Sequence, residues 1–303
     1  MTFIGRMIPV CVFAKPPVSG IVKTRLGSAL RNDCAARLAE AMFADVWTTI
    51  SACTGIRPIL ATTEFRDFPV KIPPSDIWLQ GDGDLGARLE RIITRGLLES
   101  PVVIAVGADS PILTSSHLIH ALHNLNTTEA VIGPCADGGF YMLGLRGCPA
   151  GLLSDLPWSS STTCEAVTQR FHDRGFTVAQ IETLFDIDVF DDLHRLRDYF
   201  VRNPQVAPAT RAWYFENQED QLGALGLVVN VIILWNTLYM SAALEQLQAE
   251  GYPIQSEDVA RLSPLVFDHI NLLGRYAFSV PDSVVRGELR PLRKPEDALE
   301  DVA

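Results

Sequence analysis

The sequence contains few cysteines and no cysteine pair at the spacing of a zinc or dithiol site. Its six cysteines are scattered over 303 residues without a C-x-x-C motif. This pattern argues against a disulfide framework or a cysteine-bound zinc ion, and it favours reduced thiols. The N-terminus also has no basic stretch followed by an apolar stretch and a cleavage site, so no signal peptide is predicted. We therefore expect a cytoplasmic protein.

Positive charge is also scarce. The chain has 25 lysines and arginines against 36 aspartates and glutamates, which gives a net charge of -11. This balance excludes broad, non-specific binding of nucleic acid, although a local basic patch stays open. Hydrophobic residues make up 48% of the chain, enough for a folded protein with one large or two modest domains.

Short apolar runs alternate with amphipathic stretches from residue 8 to about residue 200. This alternation predicts parallel strands joined by helices, in a layered α/β fold that binds ligands at the carboxyl ends of its strands. The predicted strands span 8–14, 56–63, 76–80, 101–109, 129–136 and 140–146, and the predicted helices span 32–51, 84–98 and 115–125. The expected helix caps are Asn32 or Asp33, Asp84, and Ser115 or Ser116.

The alternation stops after residue 205, which we take as the end of a first domain that begins at residue 1. The segment 206–213 follows a proline-containing stretch of little periodicity, so it is predicted to be a linker. A mainly helical segment is expected over 214–303. Its apolar run Leu222–Met240 is nearly long enough to span a membrane, but two asparagines and the lack of a basic flank favour a buried core helix.

The first loop, FAKPPVSGIVKTRL, follows the first predicted strand. Its two prolines prevent a helix directly after the strand, and Gly20 permits a tight turn. Lys15, Lys23 and Arg25 supply cations, the last two at or near the expected start of the next helix. Cations near a helix N-terminus form a site for phosphate groups. A solvated basic turn is the alternative.

Three aspartates are candidates for a metal site. Asp109 comes at the end of a buried strand, just before Pro111. Asp186 and Asp188 lie at the end of a further expected strand and share one face of it, because alternate residues do so. Mg²⁺ prefers one or two carboxylates together with phosphate oxygens of a substrate. For Asp109, the alternative role is to cap the next helix.

Two further features could contact a substrate. Asp137, Gly138 and Gly139 separate two apolar runs, which is typical of a hairpin turn. Paired glycines also allow the backbone to approach a ligand closely, so both roles stay open. Trp158 could form part of an acceptor pocket or could be an ordinary packed aromatic residue.

Five segments in order along the chain carry a resemblance: FAKPPVSGIVKTRL, QGDGDLGARL, GADSPIL, GPCADGGFYMLGL and DIDVFDDL. They resemble a bacterial family of glycosyltransferase-like proteins associated with radical-SAM enzymes and arsenosugar biosynthesis. The resemblance covers about residues 8–212. It implies the nucleotide-diphospho-sugar transferase fold, a Rossmann-like, GT-A-like layered sheet, and a distant relationship to the molybdenum-cofactor and phospholactate guanylyltransferases.

The resemblance also implies roles for the candidate residues. Lys23 and Arg25 would contact the nucleotide phosphates, and Asp137–Gly139 would line the sugar or acceptor side. Asp109, completed by Asp186 or Asp188, would hold Mg²⁺ (or Mn²⁺). The related pyrophosphorylases have a glycine-rich first loop, whereas this loop has two prolines and one glycine, which favours a diphosphate-sugar donor over a triphosphate.

The C-terminal segment resembles an unrelated family. From about Tyr214 to Arg293 it is similar to the C-terminal end of Tn3 family transposases. Those enzymes hold two metal ions with two aspartates and a glutamate, and Glu216 or Glu219 could correspond to the glutamate. The resemblance implies that the two aspartates would lie in upstream sequence that is not present here. We therefore expect a transposase-derived fragment without strand-transfer activity, fused to the first domain.

The sequence thus predicts an Mg²⁺-dependent transferase that uses a nucleotide or nucleotide-sugar donor and a small-molecule acceptor. Glycosyl transfer is favoured, and nucleotidyl transfer is the alternative. A role in DNA transposition would depend on the C-terminal segment alone. No membrane association is expected.

Overall fold

The computed structural model of the chain describes residues 7–26 and 30–217. The predicted helical segment over 214–303, including Glu219 and the apolar run Leu222–Met240, therefore lies almost wholly outside the described residues. Within the described ranges, no helix is long and apolar enough to cross a membrane. All six cysteines are free thiols, as predicted.

Seven strands and six α-helices make up the described part of the chain. The strands are β1 (Ile8–Ala14), β2 (Ile56–Thr62), β3 (Ile77–Leu79), β4 (Val103–Gly107), β5 (Ala130–Pro134), β6 (Phe140–Leu145) and β7 (Val178–Gln180). The helices are α1 (Asn32–Ser51), α2 (Leu85–Leu97), α3 (Ser115–Asn124), α4 (Thr163–Asp173), α5 (Phe190–Arg202) and α6 (Pro208–Glu216), with a short 3₁₀ turn at Pro74–Asp76.

The strands form one sheet in the order β3-β2-β1-β4-β6-β5-β7. Neighbouring strands are parallel except around β6, which is antiparallel to both β4 and β5. Strand β6 therefore departs from the parallel pairing that the alternation predicts, in agreement with the hairpin turn predicted at Asp137–Gly139. The turn between β5 and β6 is too short for a crossover, because parallel strands need a connection of a dozen or more residues.

Helices cover both faces of the sheet, so that β1 is buried on both sides. Val10 and Val12 point into a core that includes Leu38 of α1 and Phe200 of α5. Cys11 points into the opposite core, which includes Ile92 of α2. Strands buried on both faces are apolar throughout rather than alternating, which explains the continuous run IPVCVFA. The layered α/β fold predicted for the first domain is confirmed.

The predicted helix caps are correct at one of three positions. The Asp84 carboxylate accepts a hydrogen bond from the Ala87 backbone N–H at 2.8 Å. Helix α1 begins at Asn32 and has no side-chain cap at the preceding Arg31. At α3 the cap is Thr114, not Ser115 or Ser116. The Thr114 backbone N–H donates a hydrogen bond to Nδ1 of the buried His117 ring at 2.9 Å.

Helix α6 lies where we expected a linker. Asp45 of α1, which is 4% exposed, accepts hydrogen bonds from the backbone N–H groups of Ala209 at 2.9 Å and Thr210 at 2.7 Å. Trp213 and Tyr214 are buried in the same core as α1. The carboxylate satisfies the free N–H groups of the helix start, and the two aromatic side chains supply its packing. A compact unit accordingly extends to Gln221.

Candidate active site

A cleft lies at the carboxyl ends of β1 and β4, where ligands bind in sheets of this kind. Its volume is about 470 Å³, within the usual range for a small-molecule site. Phe13 and Phe140 line it alongside a set of polar and charged side chains. That set consists of Lys15, Lys23, Arg25, Gln80, Arg88, Asp109 and Asp188.

The first loop reaches this cleft through a series of turns. The Ile21 N–H donates to the Val18 carbonyl at 3.0 Å, and Gly20 has a φ of 77°, which is the tight turn expected there. Helix α1 begins only at Asn32. Lys23 and Arg25 therefore do not lie at a helix N-terminus, and that part of the prediction is wrong. Their charges reach the cleft from the loop itself.

Lys23 lies between two carboxylates. Its Nζ is 2.7 Å from Asp109 Oδ1 and 3.1 Å from Asp188 Oδ1, and it also donates to the Ile187 carbonyl. The Lys23 side chain is 6% exposed, whereas those of Asp109 and Asp188 are 55% and 43% exposed. Burial alone would lower the pKa of Lys23, but the two carboxylates outweigh it and raise that pKa above its usual value.

The chain itself holds Asp109 and Asp188 next to each other. The Ile187 backbone N–H donates to the Asp109 carbonyl at 3.0 Å, which joins the segment before α5 to the end of β4. Asp192 accepts from the backbone N–H groups of Asp188 and Val189, at 2.9 Å each. Asp192 therefore acts as a structural cap of α5, while Asp188 faces the cleft.

The expected strand before Asp186 is absent from the described ranges. Instead, Leu184 forms a single parallel bridge with Cys135, and the chain continues in an irregular path to Asp188. Pairing cannot continue because the partner, β5, ends at Pro134 and turns back into the hairpin. The predicted carboxylates still reach the edge of the sheet.

Asp186 belongs to a second group rather than to the Lys23 contact. Ligand atoms of Cys135, Asp137 and Asp186 all lie within 4.8 Å of one another, close enough to hold a metal ion. Burial, followed by the charge of Asp137, raises the pKa of Asp186 to about 6. Burial, followed by the charge of Asp186, raises the pKa of Cys135 to about 12. The structure thus divides the three predicted metal ligands into two groups. Asp109 and Asp188 contact Lys23, whereas Asp186 lies beside Asp137.

The segment Asp137–Gly139 forms the predicted hairpin turn. The Gly139 N–H donates to Asp137 Oδ1 at 2.8 Å, and the Cys135 N–H donates to the Gly139 carbonyl at 2.9 Å. Gly138 has a φ of 92°, and a Cβ there would lie 1.8 Å from the Ser161 carbonyl oxygen. Glycine is therefore required at this position for structural reasons. Gly138 and Cys135 also line a second cavity of about 480 Å³ beside α4.

The remaining predicted residues lie in different surroundings. Lys15 is exposed at the cleft, and Arg25 NH1 is 3.4 Å from Asp188 Oδ2. Trp158 packs edge-to-face on Phe140, with ring centroids 6.3 Å apart, and is not among the residues that line the cleft. Glu216 is exposed at the end of α6 and belongs to no metal-ligating group among the described residues.

Three residues of the site were not singled out from the sequence. Gln80 is buried and donates to the Ala61 carbonyl at 2.8 Å, and Arg88 donates to the Gly83 carbonyl at 2.9 Å. Both belong to the segment QGDGDLGARL, whose place beside the cleft could have indicated them. Cys135 belongs to the quoted segment GPCADGGFYMLGL, but its approach to Asp186 depends on the bridge between Cys135 and Leu184, which no local pattern indicates.

Two family models match separate parts of the chain. Residues 34–160 match a family described as an uncharacterized protein conserved in bacteria (DUF2064). Residues 193–276 match the Tn3 transposase DDE domain, so this second match begins inside α5.

Curated relatives include two transposases that match about a quarter of the chain. The chain is 57% identical over 82 residues to the transposase for transposon gamma-delta of Escherichia coli (strain K12). It is 59% identical over 80 residues to the transposase for transposon Tn4556 of Streptomyces fradiae. These matches cover 27% and 26% of this chain, but only 8% and 9% of the transposases.

A solved structure matches the first unit. It is a protein from Desulfovibrio desulfuricans G20 described as a candidate nucleotide-diphospho-sugar transferase, with a TM-score of 0.64 and 22% sequence identity. The match covers 72% of this chain and 97% of the other. At this identity the likeness establishes the fold. The predicted link to radical-SAM enzymes stays a prediction. The chain therefore resembles the DUF2064 family over residues 34–160, on a nucleotide-diphospho-sugar transferase fold, and the Tn3 transposase DDE domain over residues 193–276.

Proposed function

We propose that the first unit is a divalent-metal-dependent transferase that uses a nucleotide-sugar donor. The observation that carries this proposal is the Lys23 ammonium, held between Asp109 and Asp188 at a cleft on the carboxyl edge of the sheet. Two carboxylates that converge on one cation, beside further cations, suit a metal ion and the phosphate groups of a nucleotide.

The carboxylate ligands of this site suit Mg²⁺ or Mn²⁺. Asp109 and Asp188 would hold the ion, since the Lys23 ammonium already marks a position where one cation meets both carboxylates. Their partial exposure leaves room for water and phosphate oxygens, which Mg²⁺ retains as ligands. When bound, the ion would stabilise negative charge on the departing phosphate group. Asp186, beside Asp137 and Cys135, is a third carboxylate, and the charges of Asp188 and Lys23 act on it.

The phosphates of the donor would lie against the cations of the cleft. Lys15 and Arg88 line it, and Lys23 and Arg25 reach it from the first loop, whose turn depends on Gly20. Positive side chains that are already in position before the reaction stabilise the negative charge that develops on the leaving group. The chain would therefore favour departure of a nucleoside diphosphate.

The acceptor would lie on the side of the hairpin. Asp137 belongs to the acidic group and Gly138 lines the second cavity, so the hairpin turn Asp137–Gly139 connects the two. Trp158 is not part of this assignment, because it packs behind Phe140. A small molecule with hydroxyl groups suits the polar side chains of that cavity, which include Ser161, Thr168 and Gln180.

A product assay tests the proposal. The protein is incubated with Mg²⁺, a panel of small hydroxyl-bearing acceptors and, in turn, UDP-, GDP-, ADP- and dTDP-sugars, and the release of nucleoside diphosphate is measured. We expect release with one donor class, and loss of that release in Asp109→Asn. The absence of release from every donor, in a folded protein, would contradict the proposal.

Nucleotidyl transfer is the alternative at the same site. It would consume a nucleoside triphosphate and release pyrophosphate, so parallel incubations with triphosphates and sugar phosphates distinguish the two reactions. The two prolines and single glycine of the first loop favour the diphosphate-sugar donor, since triphosphate-binding loops are commonly rich in glycine.

We also propose that the Tn3-like segment does not act as a transposase in this chain. Metal-dependent strand transfer needs a complete set of acidic ligands. Glu216 is exposed and apart from any metal-ligating group within residues 7–26 and 30–217. The test is cleavage of supercoiled DNA with Mg²⁺ or Mn²⁺, where we expect no activity. Cleavage that disappears in Glu216→Gln would overturn this proposal.

A further inference from the structure

The proposed metal site between Asp109 and Asp188 lies where the Lys23 ammonium now lies. Lys23 Nζ contacts one oxygen of Asp109 at 2.7 Å and one of Asp188 at 3.1 Å. A metal ion bound by those two oxygens would occupy the same space as the ammonium. Two cations cannot share that space, because both their volumes and their like charges oppose it.

Lys23 combines its buried contacts with an uncommon backbone conformation. Lys23 has a φ of 51°, which side-chain-bearing residues adopt rarely. The Lys23 carbonyl lies in a turn, where it accepts a hydrogen bond from the Leu26 N–H at 2.9 Å. Backbone of this kind persists when surrounding contacts determine it. Here those contacts are the two carboxylates and the Ile187 carbonyl.

No other cation of the described cleft duplicates this contact. Arg25 is 70% exposed and lies 3.4 Å from Asp188 Oδ2, farther away than Lys23 Nζ is from either carboxylate. Lys15 is exposed at the rim. Removal of the Lys23 charge would therefore leave Asp109 and Asp188 close together without a buried counter-ion.

We propose that Lys23 is an internal counter-ion that exchanges with the catalytic metal. Without metal, its ammonium keeps Asp109 and Asp188 together. When the metal arrives with the nucleotide, the ammonium leaves the carboxylates and moves to the donor phosphates in the same cleft. Lys23 would thus position the two carboxylates while metal is absent. It would bind the donor phosphates once metal is present. This inference rests on the proposed function, since it requires a metal at Asp109 and Asp188.

The exchange makes metal binding weak until the nucleotide is present. A site occupied by its own lysine for most of the time has an apparent metal affinity reduced by the fraction of time for which it is free. The nucleotide phosphates would remove this competition by giving the ammonium another partner. Metal and nucleotide would therefore bind with positive cooperativity.

The experiment uses Mn²⁺ alone as a probe, with free Mn²⁺ measured by electron paramagnetic resonance on the full chain. We expect Lys23→Met to bind Mn²⁺ about tenfold or more tightly than the wild type, since the competing ammonium is gone. Lys71→Met, which removes an exposed lysine in another loop, is the matched control and should bind as the wild type does. Asp109→Asn should abolish Mn²⁺ binding at this site, both in the wild type and in Lys23→Met.

The outcomes separate this inference from the proposed function. If Lys23→Met binds Mn²⁺ no more tightly than the wild type while Asp109→Asn binds less, the exchange is wrong and the metal site stands. If Asp109→Asn binds as well as the wild type does, the metal site itself is wrong.

A second measurement needs no variant and covers the case in which Lys23→Met does not fold. Lysines of the wild-type full chain are labelled with an amine-reactive reagent and quantified by mass spectrometry, with and without saturating Mg²⁺ and ADP, UDP or GDP. The buried Lys23 should be protected without metal, and Mg²⁺ alone should increase its labelling relative to Lys71. Labelling of Lys23 that does not respond to Mg²⁺ would overturn the exchange.

Discussion

Asp186 is half-buried beside Asp137 and Cys135, and these surroundings oppose its ionisation. Burial, followed by the charge of Asp137, raises its pKa from 3.8 to about 6. Between these two values the folded state binds more protons than the unfolded state, so this carboxyl makes the protein less stable as pH rises through the window. Above the window, the charged carboxylate continues to destabilise the fold.

We expect Asp186→Asn to be more stable than the wild type above pH 6. The gain should be about 1 kcal/mol after allowance for the screening of a partly exposed group. It should disappear as pH falls below 3.8, where the carboxyl is protonated in both the folded and the unfolded state. The measurement is urea unfolding across this pH range, with a chelator present. Asp67→Asn, at an exposed loop position, is the control, and an equal effect of both substitutions would contradict the assignment.

Gly138 tests the hairpin at the scale of one residue. It has a φ of 92°, and an added Cβ would lie 1.8 Å from the Ser161 carbonyl oxygen. Gly138→Ala should cost about 3 kcal/mol or more, because backbone strain and backbone overlap add together. Gly147→Ala is the matched control, since a Cβ there meets nothing within 4 Å. Thermal unfolding of the two variants should differ clearly, and similar midpoints would show that the hairpin is not held against Ser161.

At the scale of elements, apolar periodicity predicted most of the fold. Helix α1 has the predicted bounds, Asn32–Ser51, because its buried positions recur at helical spacing. Strand β7 was not predicted, since it has three residues and none is fully buried. The carboxylates of the candidate site were identified from their places after apolar runs, but their partners were not. Whether Asp186 meets Lys23 or Asp137 depends on the path after Leu184, which no local pattern encodes.

Helix α6 is an element that tertiary contacts determine. Its sequence, with Pro208 and little periodicity, predicted a linker, yet Asp45 of α1 caps it and Trp213 and Tyr214 enter the core. Asn217 extends this contact, since its Oδ1 accepts from Arg37 NH2 at 3.2 Å. The last residues of the first unit therefore lie within the segment that matches the Tn3 domain.

We accordingly expect a chain that ends after residue 210 to fold poorly, and one that ends after residue 221 to fold. The shorter chain loses Trp213 and Tyr214, each buried to 5% exposure. Loss of two buried aromatic side chains costs more than about 5 kcal/mol, which is comparable with the whole stability of a domain. Solubility and cooperative thermal unfolding of the two chains check this. A stable chain that ends after residue 210 would show that α6 is dispensable.

At the scale of the whole molecule, the chain combines two segments with separate relatives. Residues 34–160 match DUF2064, and residues 193–276 match the Tn3 transposase DDE domain. Every residue of the candidate cleft lies within the first compact unit, which ends at Gln221. The proposed chemistry therefore depends on the first unit alone.

We expect the chain that ends after residue 221 to bind a metal–nucleotide complex with the affinity of the full chain, within about a factor of two, because a compact unit with its own core keeps its site. Calorimetric titration of the two proteins measures this. A shortened chain that folds but loses binding would show that residues 222–303 contribute to the site.

Calorimetric titration tests whether Asp109 and the cations of the first loop hold a metal–nucleotide complex in the cleft. UDP-, GDP-, ADP- and dTDP-sugars and free nucleotides are titrated, with and without Mg²⁺, into the wild type and Asp109→Ala. We expect binding of one nucleotide class that requires Mg²⁺ and is lost in the variant, with both proteins folded. Mg²⁺-independent binding, equal binding by the variant, or no binding by a folded wild type would contradict this expectation.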